Sequence, residues 1–153
     1  MSPKHARHTQ GQKAELHAQQ WYLMHYPQGK LITTNWRIQQ DGFRGELDFV
    51  YFTPTPVAEL HFVEVKSRHQ KVPVSGQSKY QGKQDALWEA AGAITPKKHQ
   101  QLHTLVSLFM INFPLKTMIP EDTIASLRLS IEVCLVVHEN ESSYTVYTPI
   151  SLF

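Results

Sequence analysis

The sequence predicts one α/β or α+β domain, with helices flanking a mixed central sheet of about five strands. Three observations carry this. Two segments space their apolar residues at helical intervals, and five short runs are β-branched or apolar. They alternate in the order helix, strand, strand, strand, helix, strand, strand, and no internal repeat or long linker divides them. At 153 residues the chain suits a single domain, residues 1–153, that buries roughly two-thirds of its unfolded surface.

Residues 1–10 read as a flexible basic N-terminus, with Lys4, Arg7 and two histidines. The first helix is expected over "QGQKAELHAQQWYLMHY", where Ala14, Ala18, Trp21, Tyr22 and His25 recur at steps of three and four. Pro27 and Gly29 stop it. "KLITTNWRI" is a β-branched first strand and "QQDG" its turn. Glu46–Phe52 and Leu60–Ser67 follow as strands, and the prolines of the intervening Thr53–Glu59 exclude continued pairing there. Residues 67–84 form a basic loop. Thr95-Pro96 starts the second helix, with threonine as N-cap and proline at the first helical position. Leu102, Leu105, Val106, Phe109 and Met110 form its apolar face, and Pro114 ends it. "RLSIEVCLVVHENESSYTVYTP" closes as a hairpin around "ENES".

Composition excludes several classes. With 41% hydrophobic and 18% charged residues, the composition is that of an ordinary soluble globular protein, not a disordered one. A net charge of +2 does not itself imply a nucleic-acid partner. Cys134, the single cysteine, allows no internal disulfide and no thiolate zinc cage, and within "VCLVV" it is expected to be a small buried hydrophobe. No secretory h-region or bilayer-length apolar tract is present, so a cytoplasmic location is the expectation.

The chemistry concentrates in "GELDFV" and "LHFVEVKSR". Alternation places Glu46, Asp48, Val50 and Phe52 on one strand face, and Leu60, Phe62, Glu64 and Lys66 on another. With Phe52 opposite Leu60, Val50 meets Phe62, Asp48 meets Glu64 and Glu46 meets Lys66. Leu47, Phe49 and Tyr51 then share the opposite face with His61, Val63 and Val65. Two facing carboxylates stand about 5 Å apart at Cβ and repel unless a cation lies between them. Magnesium suits such a pair and would activate water and neutralise charge on a phosphate. Lys66 would orient that water or stabilise the transition state. A structural ion-pair cluster is the competing explanation for all four charges.

These residues resemble a known family. The Asp then Glu-x-Lys pattern looks like the core motif of the restriction-endonuclease-like, PD-(D/E)xK, superfamily. More narrowly, the chain resembles the YraN-like family of uncharacterised bacterial proteins, itself similar to archaeal Holliday junction resolvases. "GQKAELHAQQWYL", with Glu15, "ITTNWRIQQDGFRGELD", with Asn35 and Arg37, and "AITPKKHQQLHTLVSLFM", with Thr95, Pro96 and Lys98, are similar to further family segments. The resemblance implies a nuclease core in which Asp48 and Glu64 ligate magnesium or manganese, joined by the Val65 carbonyl. It implies Lys66 as catalytic lysine, with Glu46 and Glu15 supporting the site. Two features depart from the pattern. The Thr53–Glu59 loop is longer than the usual tight turn, and "RLSI" stands where relatives read Arg-Phe-Asp-Val.

A nuclease also needs phosphate contacts. Residues 67–84 contain Arg68, Lys71, Lys79 and Lys83 and no acid, with Tyr80 available for stacking; Lys97 and Lys98 lie beside a helix N-terminus. A solvated loop explains the same charges. His99 and His103 lack a third ligand and read as surface histidines; Trp21, Trp36 and Trp88 read as packing aromatics. Three functions remain open: a magnesium-dependent endonuclease acting on branched or structured DNA, a non-catalytic nucleic-acid-binding module of the same fold, and an interaction protein whose acid cluster is merely structural. Symmetric cutting would need a homodimer, but the sequence exposes no identifiable interface.

Overall fold

The computed structural model of the chain describes residues 3–69, 94–140 and 142–152, with side chains from Gly11 onward. Its elements are α1 (Pro3–His25), β1 (Lys30–Gln40), β2 (Phe43–Thr53), β3 (Glu59–His69), α2 (Pro96–Asn112), a 3₁₀ turn (Leu115–Thr117), α3 (Glu121–Ala125), β4 (Arg128–His138), β5 (Tyr144–Val146) and β6 (Ile150–Ser151). The sheet order is β1-β2-β3-β4-β5, and β6 also pairs with β4. β3 and β4 run parallel while the other neighbours are antiparallel, so the sheet is mixed as expected.

Local chemistry explains most boundaries. Asp41 (φ 51°) and Gly42 (φ 80°) form the two-residue turn of the β1–β2 hairpin, in the left-handed backbone that such tight hairpins require. Thr95 caps α2 by accepting from Lys98 N–H at 3.1 Å, with Pro96 next to it. Several elements exceed the sequence expectation: β2 starts at Phe43, not Glu46, and β3 runs on to His69, so the first three residues of the expected basic loop 67–84 are strand. α1 begins at Pro3, not Gln10, because a polar stretch contributes no apolar period to mark its start. The short α3 and two-residue β6 carry too few residues for any period to register.

Two cores sandwich the sheet. Ala14, Ala18 and Tyr22 of α1 pack on Phe49, Tyr51, Val63, Cys134 and Val136. Leu102, Leu105, Val106 and Phe109 of α2 pack on Leu47, Val50, Leu60, Phe62 and Ile131. Leu47 is therefore a correction. Strict alternation puts it with Phe49 and Tyr51, yet it joins Val50 on the α2 side. The alternation slips at Asp48, opposite which Asn35 takes a left-handed backbone, φ 51°. His25, expected on the packing face, is exposed and stacks on Trp21 with ring centroids 3.9 Å apart. Among the described residues, no helix is long and apolar enough to cross a membrane.

Candidate active site at a fork in the sheet

The β2–β3 ladder runs from Thr53↔Glu59 to Phe49↔Val63 and stops. Beyond it, β2 stays paired with β1 back to Phe43, and β3 stays paired with β4 out to His69. The sheet forks there. Val65 N–H, which a continuing ladder would give to a β2 carbonyl, donates to Asp48 Oδ2 at 2.8 Å. In an extended strand a residue's N–H and C=O point the same way, so the Val65 carbonyl also faces the fork.

The expected register holds from Phe52↔Leu60 to Val50↔Phe62, but the Asp48–Glu64 and Glu46–Lys66 ladder pairs do not form. Directly opposed carboxylates would repel. Asp48 turns instead to a backbone donor, which separates the strands and leaves the acids on either side of the gap.

Burial pushes the Asp48 carboxyl up to about 7, and the Glu64 charge adds to this. The Val65 N–H opposes the shift, while Glu15 and Glu46 reinforce it more weakly. Glu64, with its side chain 11% exposed, is answered by two ammonium groups. Lys66 Nζ and Lys98 Nζ each lie 3.6 Å from Glu64 Oε1. Lys66 comes from the same strand and Lys98 from the first turn of α2, on another layer.

An outer ring surrounds this centre. Arg37 Nε contacts Glu46 Oε2 at 3.0 Å. With its amide oriented to donate, Asn35 reaches Glu46 Oε1 at 3.3 Å and Glu15 Oε2 at 3.2 Å. Glu15 and Glu46 are thus held together at the site's edge, beside an open groove of about 470 Å³ bordered by Arg37, Arg44 and Glu46.

The remaining expected contacts are dispersed. Arg68 donates to its neighbour Ser67 O at 2.9 Å, and Lys97 is exposed on α2. Lys71, Lys79, Tyr80, Lys83 and Trp88 lie outside the described residues. His99 and His103 touch each other, with ring centroids 4.8 Å apart. Among the described residues, no three His, Cys, Asp or Glu side chains form a ready-made metal cage. Two carboxylates and a backbone carbonyl are nevertheless hard oxygen donors of the kind that suit an ion retaining several waters, such as magnesium.

A second polar cluster escaped sequence reasoning. Glu132, inside β4, accepts from Tyr22 OH, Ser130 Oγ and His61 Nδ1, each at 2.5 Å. His61 Nε2 in turn meets Thr53 Oγ1 at 2.9 Å. The one available sign was a glutamate in the apolar run "SIEVCLVV". Ser130, the third residue of "RLSI", belongs to this network.

Residues 14–136, more than half of the chain, match the Uncharacterised protein family UPF0102. The chain belongs to that family. UPF0102 is the YraN-like family that the hairpin motifs resemble, and its match runs from the middle of α1 through most of β4, including every member of the fork. No curated protein and no solved structure matches this UPF0102 chain.

Proposed function

We propose that this UPF0102 protein is a magnesium- or manganese-dependent endonuclease that hydrolyses DNA phosphodiester bonds, with branched or structured DNA as the substrate class. The observation supporting it is the meeting of Asp48, Glu64 and Lys66 at the fork in the sheet, with Asp48 destabilised as an anion by burial and by Glu64. A carboxyl destabilised in this way gains from a divalent partner, and a carboxylate perturbed by burial and a specific charge neighbour is a common mark of function.

Asp48, Glu64 and the Val65 carbonyl would hold the ion. Bound there, it would supply charge neutralisation at the phosphate and a water acidic enough to attack near neutral pH. The chain's own groups have separable tasks. Val65 N–H fixes the orientation of the Asp48 carboxylate. Lys66 places a positive charge next to Glu64, where a phosphate entering the fork would develop negative charge. Asn35 and Arg37 hold Glu15 and Glu46 at the rim.

One observation favours the alternative, a nucleic-acid-binding module without turnover. Glu64 already has two ammonium partners, an arrangement stable without any ion. The two functions separate experimentally. The endonuclease cuts a four-way or nicked DNA substrate with Mg²⁺ or Mn²⁺, and Lys66→Ala abolishes cutting while circular dichroism shows the fold retained. Undiminished cleavage by that variant refutes the assignment. Salt-sensitive binding without cleavage, indifferent to Asp48→Ala, establishes the binding module.

A further inference from the structure

Glu64 Oε1 has a lysine on each side, and neither contact is a tight hydrogen bond. Charge-assisted N–H···O contacts fall at about 2.7–2.9 Å, whereas both ammonium groups stand at 3.6 Å. The two lysines are tethered differently. Lys66 follows Glu64 by two residues on β3, where the parallel ladder pairs it with Leu135. Lys98 extends from α2 across the layer boundary, its side chain 30% exposed and open to solvent.

Lys98 also sits where local electrostatics disfavours it. The first turn of α2 contains no acid, and the helix dipole makes that turn a poor location for a cation. Thr95 capping and Pro96 set the helix start, which fixes Lys98 in that turn. Its compensating partner is Glu64. Among the described residues Lys98 is held by one loose ion pair, against its own helix dipole and beside solvent, and such a side chain is the one a stronger cation can dislodge.

We propose that Lys98 is a displaceable counter-ion of Glu64, which a divalent cation releases onto a nucleic-acid phosphate, so that cation and DNA binding reinforce each other. This rests on the metal site proposed above. Lys98 is a positioning residue in this scheme. It neutralises Glu64 before the ion enters and supplies a phosphate contact afterwards. Coupling is reciprocal: whatever factor Mn²⁺ adds to DNA affinity, DNA must add to Mn²⁺ affinity.

The test is Mn²⁺ titration calorimetry on the full chain, paired with fluorescence anisotropy of a labelled DNA duplex with and without Mn²⁺. Lys98→Met removes the competing cation and should bind Mn²⁺ about fivefold or more tightly than wild type, within the usual range of such couplings. In the same variant, the Mn²⁺-dependent gain in DNA affinity should disappear. Lys98→Gln is a second variant that keeps a polar end, and Lys116→Met, whose lysine pairs with Glu121 at the exposed surface, is the charge-matched control. Unchanged or weaker Mn²⁺ binding by both folded Lys98 variants overturns the proposal and leaves the metal site standing. No Mn²⁺ binding by wild type or variants overturns the metal site itself, and the proposal with it.

Discussion

Val65 N–H donates to Asp48 Oδ2 at 2.8 Å, across the point where β2 and β3 cease to pair. A side-chain oxygen thus replaces the backbone acceptor that a longer ladder would have offered. The contact ends the ladder and aims the carboxylate into the gap it creates. Fold and candidate site share this one hydrogen bond.

Asp48 should cost the protein stability as pH rises from about 4 to 7. In the free chain its carboxyl ionises near 3.8, whereas in the fold it does so near 7. Between those values the folded state keeps a proton that the unfolded state has lost, so stability falls as pH rises and levels off above 7. Asp48→Asn removes the penalty and should stabilise the chain by about 4 kcal/mol at pH 8 and by almost nothing near pH 4. Urea unfolding in chelator at the two pH values measures this. An equal effect at both would contradict it.

The same proton competes with the cation. Mn²⁺ affinity should rise about tenfold per pH unit below the Asp48 value and flatten above it, since one proton is displaced per ion. Calorimetry in buffers of different ionisation enthalpy counts the released proton directly. A flat affinity profile between pH 5 and 8 would remove Asp48 from the ligand set.

Glu132 should be among the most sensitive positions for stability. Burial pushes its carboxyl upward, but the hydrogen bond and charge of His61, with Ser130 and Tyr22, outweigh this and leave it below its ordinary value. Glu132→Ala strands three polar partners in a buried site and should cost about 3–5 kcal/mol. Because the folded value is depressed, the Glu132 contribution is present above its free-chain value and is lost as pH falls through the folded one. Denaturant midpoints at pH 7 and pH 3 check both statements, and the variant's deficit should shrink at the lower pH.

Gly45 should reject a side chain. A Cβ there would stand 2.7 Å from Leu105 Cδ2 and 3.0 Å from its Cγ, and Leu105 is wholly buried in the α2 core. Gly45→Val should cost about 1–3 kcal/mol by overpacking, read as a lower thermal midpoint. Gly45→Val combined with Leu105→Ala should recover part of the loss, because the pair is in direct contact.

Much of the molecule is decided by neighbours in the chain. The Asp41-Gly42 turn needs a left-handed backbone that these residues accept, and Thr95-Pro96 starts a helix by capping its first free N–H groups. Apolar spacing correctly marks Ala14, Ala18 and Tyr22, and Leu102, Leu105, Val106 and Phe109, as core. The strand pattern pairs Val50 with Phe62, so the approach of Asp48 to the Glu64 strand is readable as well. Each rests on a period or a capping rule with a range of a few residues.

What tertiary structure alone decides depends on partners far apart in sequence. The ladder's end at Phe49↔Val63, the transfer of Leu47 to the α2 core and the approach of Lys98 to Glu64 need both helical layers in place. The Glu132 cluster draws Tyr22, His61 and Ser130 from α1, β3 and β4, so no local spacing reveals it. The physical reason is common to all of them. A buried charge must find its compensation wherever packing brings an opposite charge or a donor, and packing is a property of the whole fold.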